Sequence, residues 1–145
     1  MKIRPGAIFR KNDQILLLRY EYNGTSIYNI PGGNHDEGET ISEALTREMW
    51  EELGVKITIG KLLLVAEASK NNTKQEVLHL IFESYIAENQ PVINSNECSA
   101  LELVWMSISD LVNIKLYPNI AGELFKVLRN ENGPVYLGKI DQPWY

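Results

Sequence analysis

Residues 33–55, GNHDEGETISEALTREMWEELGV, decide how the rest of this chain is read. A polar, glycine-bearing loop passes into a segment with apolar residues at 41, 45, 49 and 53, the spacing of one helix face. Thr40-Ile41-Ser42-Glu43 fits a capping box, in which the threonine hydroxyl and the glutamate carboxylate satisfy free amides at the helix start. Gly54 is placed to end the helix in a left-handed conformation. At about 100° per residue, with Ile41 as origin, Leu45, Met49 and Leu53 fall at roughly 40°, 80° and 120°, an apolar stripe expected to pack on a sheet. On the same wheel Glu48, Glu51 and Glu52 fall at roughly 340°, 280° and 20°, beside that stripe, and Trp50 at roughly 180° lies opposite it.

A solvated charged face would lie opposite the apolar stripe, so this layout is inverted. The pairs Glu48/Glu51 and Glu48/Glu52 are helix neighbours, and each repulsion costs roughly 0.2–0.5 kcal/mol. An arbitrary Glu-x-x-Glu-Glu is ordinarily a run of good helix formers on a wet surface. At the edge of a core the cluster needs a cation, and hard oxygen ligands select Mg²⁺ or Mn²⁺ over zinc or copper.

The stretch resembles, at every defining position, the Nudix box of the Nudix hydrolase family: Gly33, Glu39, Arg47, Glu48, Met49, Glu51, Glu52, Gly54 and Val55. The resemblance implies an α+β domain, an α/β/α sandwich with a mixed β-sheet between helices. It also implies Mg²⁺-dependent hydrolysis of a phosphoanhydride bond in a nucleoside diphosphate linked to another group. Glu51 and Glu52 would be metal ligands, Glu48 a ligand or the general base, and the Gly32 carbonyl a further ligand. Pro31-Gly32-Gly33 reads locally as a strand-ending turn, and its glycines also permit backbone to approach metal and phosphate, which places Gly33 among the substrate-binding candidates. Arg47 falls next to Glu51 on the wheel and can orient a carboxylate, and the resemblance adds a pairing with Glu39 across the loop.

Outside the box, Glu97 in Asn94-Ser95-Asn96-Glu97-Cys98 is the candidate for a further catalytic carboxylate, with Glu102 behind it; either could equally be solvated charge. Arg4 and Arg19 lie on expected strands that could border the cleft and meet phosphates, although exposed arginines are common. Tyr28 precedes the Pro-Gly-Gly turn, where it could stack on substrate or merely pack. His79 on an alternating strand reads as a packed histidine, and Cys98 as a small residue of a polar loop. The tyrosine of diadenosine polyphosphate enzymes and the proline of ADP-ribose enzymes are absent from positions 70–74, where those signatures are expected, which leaves a nucleoside triphosphate as the default substrate. A nucleotide sugar, ADP-ribose or a dinucleoside polyphosphate is the alternative, as is a non-catalytic nucleotide-binding domain of the same fold.

The chain of 145 residues is expected to form a single domain over 1–145, with 44% hydrophobic and 23% charged residues, an ordinary globular composition. A net charge of -5 argues against a nucleic-acid polymer or a membrane surface as partner, leaving a small molecule. Cys98 is the lone cysteine, which excludes an intrachain disulfide and a thiolate zinc site, and with no apolar signal or membrane run the expected setting is cytoplasmic. Strands are expected at 7–9, 15–18, 28–30, 55–68, 75–87 and 101–106, with 7–9 and 15–18 forming a hairpin, 69–73 a turn, 107–111 starting a short helix behind a Ser107 cap, and 118–129 a last helix. The tail from 130 to 145 reads ambiguously, and Trp50 with Trp144-Tyr145 suggests a homodimer surface.

Overall fold

The computed structural model describes residues 1–69 and 75–143. In chain order its elements are β1 (Lys2–Lys11), β2 (Gln14–Tyr22), β3 (Thr25–Asn29), α1 (Ile41–Leu53), β4 (Lys56–Ala68) and β5 (Val77–Glu88). They are followed by β6 (Glu102–Ser107), a 3-10 helix (Ile108–Asn113), β7 (Leu116–Tyr117), α2 (Ala121–Leu128) and β8 (Tyr136–Ile140). The strands form one eight-stranded sheet in the order β7-β3-β2-β1-β5-β4-β8, with β6 also pairing to β2. The sheet is mixed: β1 runs parallel to β5, and β4 and β5 form the long antiparallel pair.

The continuous apolar runs at 7–9 and 15–18 are explained by burial on both sides. Ile8, Ile15 and Leu17 enter one core with Leu124 and Leu128 of α2. Their neighbours Ala7, Phe9, Leu16 and Leu18 enter another with Leu45, Met49 and Leu53 of α1. The sheet is therefore the middle layer between helices, the expected α/β/α arrangement of an α+β fold. Helix α1 begins and ends as its sequence dictates: Thr40 and Glu43 form the reciprocal capping box, and Gly54 closes the helix at φ 66°. Trp50, opposite the buried stripe, is 52% exposed.

Several boundaries differ from expectation. The 7–9/15–18 hairpin is paired at Arg10–Ile15 and Lys11–Gln14, beside its turn, while β1 takes β5 as its main partner. Ser107 holds the expected N-cap position of the 3-10 helix, but its hydroxyl pairs with that of Ser109 and makes no capping bond to the backbone. The last helix starts at Ala121 rather than 118, and the ambiguous tail supplies β8, parallel to β4. Cys98 lies in the expected loop but is buried against the α1-side core, with its sulfur 3.5 Å from the Tyr20 hydroxyl. The expected turn beyond Ser69, the positions 70–74 used for substrate signatures, and Trp144-Tyr145 lie outside the described residues.

Candidate active site

Helix α1 carries its glutamates to a cleft of about 450 Å³ lined by Arg4, Tyr20, Gly32, Glu48, Glu51, Glu52 and Glu97, among others. Two backbone approaches shape its floor. Gly32 bridges to Gly6 of β1, and a Cβ on Gly32 would stand 2.3 Å from the Pro5 carbonyl oxygen. A Cβ on Gly33 would fall 2.1 Å from the Glu48 carboxyl carbon, so the absence of a side chain there is what lets Glu48 face the cleft.

Arg47 fixes the carboxylates from behind. Its Nε and Nη2 donate to the two oxygens of Glu39, each at 2.8 Å, a bidentate pair across the loop. Its Nη1 donates to Glu48 at 3.0 Å and to Glu51 at 3.1 Å, and Nη2 also reaches the Asn34 carbonyl at 3.1 Å. Those bonds hold the Glu39 carboxyl down at about 2 and raise the guanidinium further above its ordinary range.

Glu52 receives nothing comparable. Burial first, then the neighbouring Glu48 charge, push its carboxyl up to about 7, while Arg4 pulls in the opposite direction. Burial also raises Glu48, against the pull of Arg47. The carboxylate wall is thus short of positive charge on the cleft side. Its chemistry fits a divalent cation, with Glu48, Glu51, Glu52 and the Gly32 carbonyl as hard oxygen donors. Its geometry is not a finished cage: among the described residues no three acidic, histidine or cysteine side chains converge on one point in the way a held ion requires. Glu48 and Glu51 are instead turned toward Arg47.

The structure brings Arg4, Gly32, Gly33, Glu48, Glu51, Glu52 and Glu97 to one cleft, and it does not bring Arg19 or Tyr28 there. Arg19 is committed to Glu102, Nε to Oε1 at 2.6 Å, so Glu102 is also removed from candidacy. Arg19 and Tyr28 are cross-strand partners, and the alternation of β2 turns them away from the face on which Leu18 and Tyr20 line the cleft. Tyr20 is the aromatic residue the sequence reading missed, although its i, i+2 relation to Leu18 carried the signal. Asn94 was missed as well: its backbone N–H donates to the Glu52 carbonyl at 2.8 Å and its side-chain amide to that of Glu51 at 3.1 Å, so the Glu97 loop caps the end of α1.

The chain is similar to known proteins. The chain is 30% identical over 100 residues, 69% of its length, to a putative 8-oxo-dGTP diphosphatase of Bacillus subtilis (strain 168), covering 62% of that protein. It is 32% identical over 77 residues, 52% of its length, to an ADP-ribose pyrophosphatase of Methanocaldococcus jannaschii, covering 46% of that protein. The chain therefore spans about half to three-fifths of the length of these two relatives. The crystal structure of a MutT protein from Methanosarcina mazei Go1 shares the fold at a TM-score of 0.71 and 22% identity, covering 89% of this chain and 94% of that one. The NUDIX domain family matches residues 3–129, which include β2 to β7, the glycine turn and the whole carboxylate helix, and the chain belongs to that family.

Proposed function

We propose that this protein hydrolyses a phosphoanhydride bond in a nucleoside diphosphate linked to a further group, with a nucleoside triphosphate as the default substrate. The observation that carries the reading is the meeting of Glu48, Glu51, Glu52 and Glu97 with Arg4 in one cleft. The names of the relatives, a diphosphatase and a pyrophosphatase acting on nucleotides, support the same class.

Glu48, Glu51, Glu52 and the Gly32 carbonyl would hold Mg²⁺ or Mn²⁺, which when bound supplies charge neutralisation on the diphosphate and a more acidic water. Glu48 sits in the middle of the carboxylate face and accepts the proton of the attacking water. The water oxygen forms a bond to phosphorus, the anhydride P–O bond breaks, and its electron pair leaves on the departing phosphate oxygen. Arg47 positions Glu48 and Glu51 from behind, and Arg4, which lines the same cleft, meets substrate phosphate. Action in the cytoplasm on small molecules belongs to the same reading, supported by the lone free thiol of Cys98 and the net charge of -5.

The test is a panel of nucleoside triphosphates, nucleotide sugars and dinucleotides incubated with Mg²⁺ in heavy-oxygen water. Hydrolysis of at least one, with label in one phosphate product, is expected. Cleavage without label in phosphate, or no cleavage across the panel, contradicts the reading.

A further inference from the structure

Arg4 lines the cleft together with Glu48, Glu51, Glu52 and Glu97, yet among the described residues it forms no ion pair. Its charge nevertheless acts on both Glu48 and Glu52. Arg47 shows what an arginine beside this wall otherwise does: its Nη1 donates to Glu48 and Glu51. Arg4 is held back by two contacts. Its guanidinium lies 5.4 Å from the centroid of the Tyr117 ring, and its Nη2 donates to the Ile30 carbonyl at 3.3 Å. A bond of that length is a weak anchor, whereas a planar, weakly hydrated guanidinium stacks well on an aromatic face.

The ring is itself fixed. β7 runs parallel to β3 with Tyr117 opposite Asn29, and the Ile30 N–H donates to the Tyr117 carbonyl at 3.0 Å. Ile30 therefore bonds both Tyr117 and Arg4, immediately before the Pro31-Gly32-Gly33 turn that floors the cleft. His79, fully buried, meets the ring edge-on at 5.3 Å and braces it. Released from the ring, the long Arg4 side chain would have the cleft glutamates as partners, and a charge-assisted pair there would put its guanidinium where a cation is needed. Two losses would come together: the chain would neutralise its own carboxylates, and Arg4 would no longer be free for phosphate.

We propose that Tyr117 is a positioning residue whose ring keeps the Arg4 guanidinium off Glu48 and Glu52, so that the carboxylates stay open to a divalent cation and Arg4 stays open to substrate phosphate. This deepens the phosphoanhydride-hydrolase reading and rests on it for the roles of the cation and the phosphate.

The test is equilibrium binding, so that it does not depend on turnover: Mn²⁺ alone, and then inorganic tripolyphosphate with Mg²⁺ present, on the wild type, Tyr117→Phe, Tyr117→Leu, Arg4→Ala and the double variant Tyr117→Leu/Arg4→Ala. Tyr117→Leu is expected to weaken both ligands about fivefold or more, and Tyr117→Phe, which keeps the ring, to stay within about twofold of the wild type. In the double variant Mn²⁺ binding should recover to at least the wild-type level, because the competing guanidinium is gone, while tripolyphosphate should bind no worse than to Arg4→Ala. Mn²⁺ bound by Tyr117→Leu as tightly as by the wild type, a loss that persists in the double variant, or a wild type that binds no Mn²⁺ overturns the proposal. If Tyr117→Leu fails to fold, NMR relaxation of the Arg4 Nε–H in the metal-free wild type decides: a guanidinium as ordered as the surrounding backbone supports the stack, and a freely mobile one overturns it. Loss of Mn²⁺ in Tyr117→Leu beside a wild type that hydrolyses nothing would keep the positioning role and sink the hydrolase reading. Label-incorporating hydrolysis with unchanged binding in Tyr117→Leu would do the reverse.

Discussion

Two arginines border the carboxylate cluster, and the fold treats them in opposite ways. Arg47 spends its donors on Glu39, Glu48, Glu51 and the Asn34 carbonyl. Among the described residues Arg4 makes one bond, Nη2 to the Ile30 carbonyl at 3.3 Å, and buries Nη1 without a partner, its guanidinium over the Tyr117 ring. One side of the cleft is finished by the chain itself, and the other is left short of partners. The lesson is about division of labour. A saturated cation organises the site, whereas an unsaturated one beside a cleft is free to meet what enters it.

The largest expected effect breaks the carboxylate side. Glu48→Gln keeps the shape of the side chain, removes its charge, and should lower turnover by at least roughly two orders of magnitude, the lower range for a lost general base. Glu97→Gln, at an exposed loop position, should cost less than about tenfold. A dead Glu97→Gln beside a near-normal Glu48→Gln would move the base to the loop and refute the placement on the helix.

Next comes the contrast between the arginines themselves. Arg47→Ala strips three glutamates of their shared partner and should lower Tm by roughly 3–8 °C. Arg4→Ala should leave Tm within about 2 °C and raise KM several-fold, because it removes a ligand contact and also an orphaned buried donor. Equal losses of Tm in the two variants would erase the distinction.

The legible part of this molecule is the part written in local code. The capping box Thr40/Glu43, the left-handed Gly54 and the buried stripe Leu45, Met49, Leu53 are set by neighbours within a turn or two, and all stand as the sequence specifies. Which residues of β2 and β3 face the cleft was not local. A single step along a strand reverses the face, so Tyr20 took the place expected for Arg19, and Tyr28, the cross-strand partner of Arg19, turned away with it. The parallel pairing of β1 with β5 and of β8 with β4 joins segments far apart in the chain, and no turn residue announces it. The Arg47–Glu39 pairing was implied by resemblance; the extension of the same guanidinium to Glu48 and Glu51 needed coordinates.

A smaller effect is expected from pH. Glu52 has its folded pKa raised to about 7, above the ordinary carboxylate value it has when unfolded. Between those values the folded state holds the extra proton, so the contribution of Glu52 to stability is full at low pH and is lost as pH rises through about 7. In cation-free buffer, Tm should therefore decline from pH 5 to pH 8, and Glu52→Gln should flatten that decline; the opposite slope difference would contradict the burial of an unpaired carboxyl. Glu39 has the opposite sign, with its folded pKa held down at about 2, and its contribution is lost only as pH falls toward that value. The smallest expected change is that of Arg19→Ala, which should leave kcat/KM within about twofold because Arg19 is engaged by Glu102 on the far face. A larger loss would return Arg19 to the cleft.

The proposed chemistry needs a cation to complete the carboxylate wall, and the most direct measurement is turnover of the best panel substrate before and after exhaustive treatment with EDTA, followed by restoration of Mg²⁺. Activity should vanish on chelation and return with the ion, and the wild-type Tm at pH 8 should rise when Mg²⁺ is restored. Turnover that survives chelation unchanged would show that Glu48, Glu51 and Glu52 serve some purpose other than holding a divalent ion.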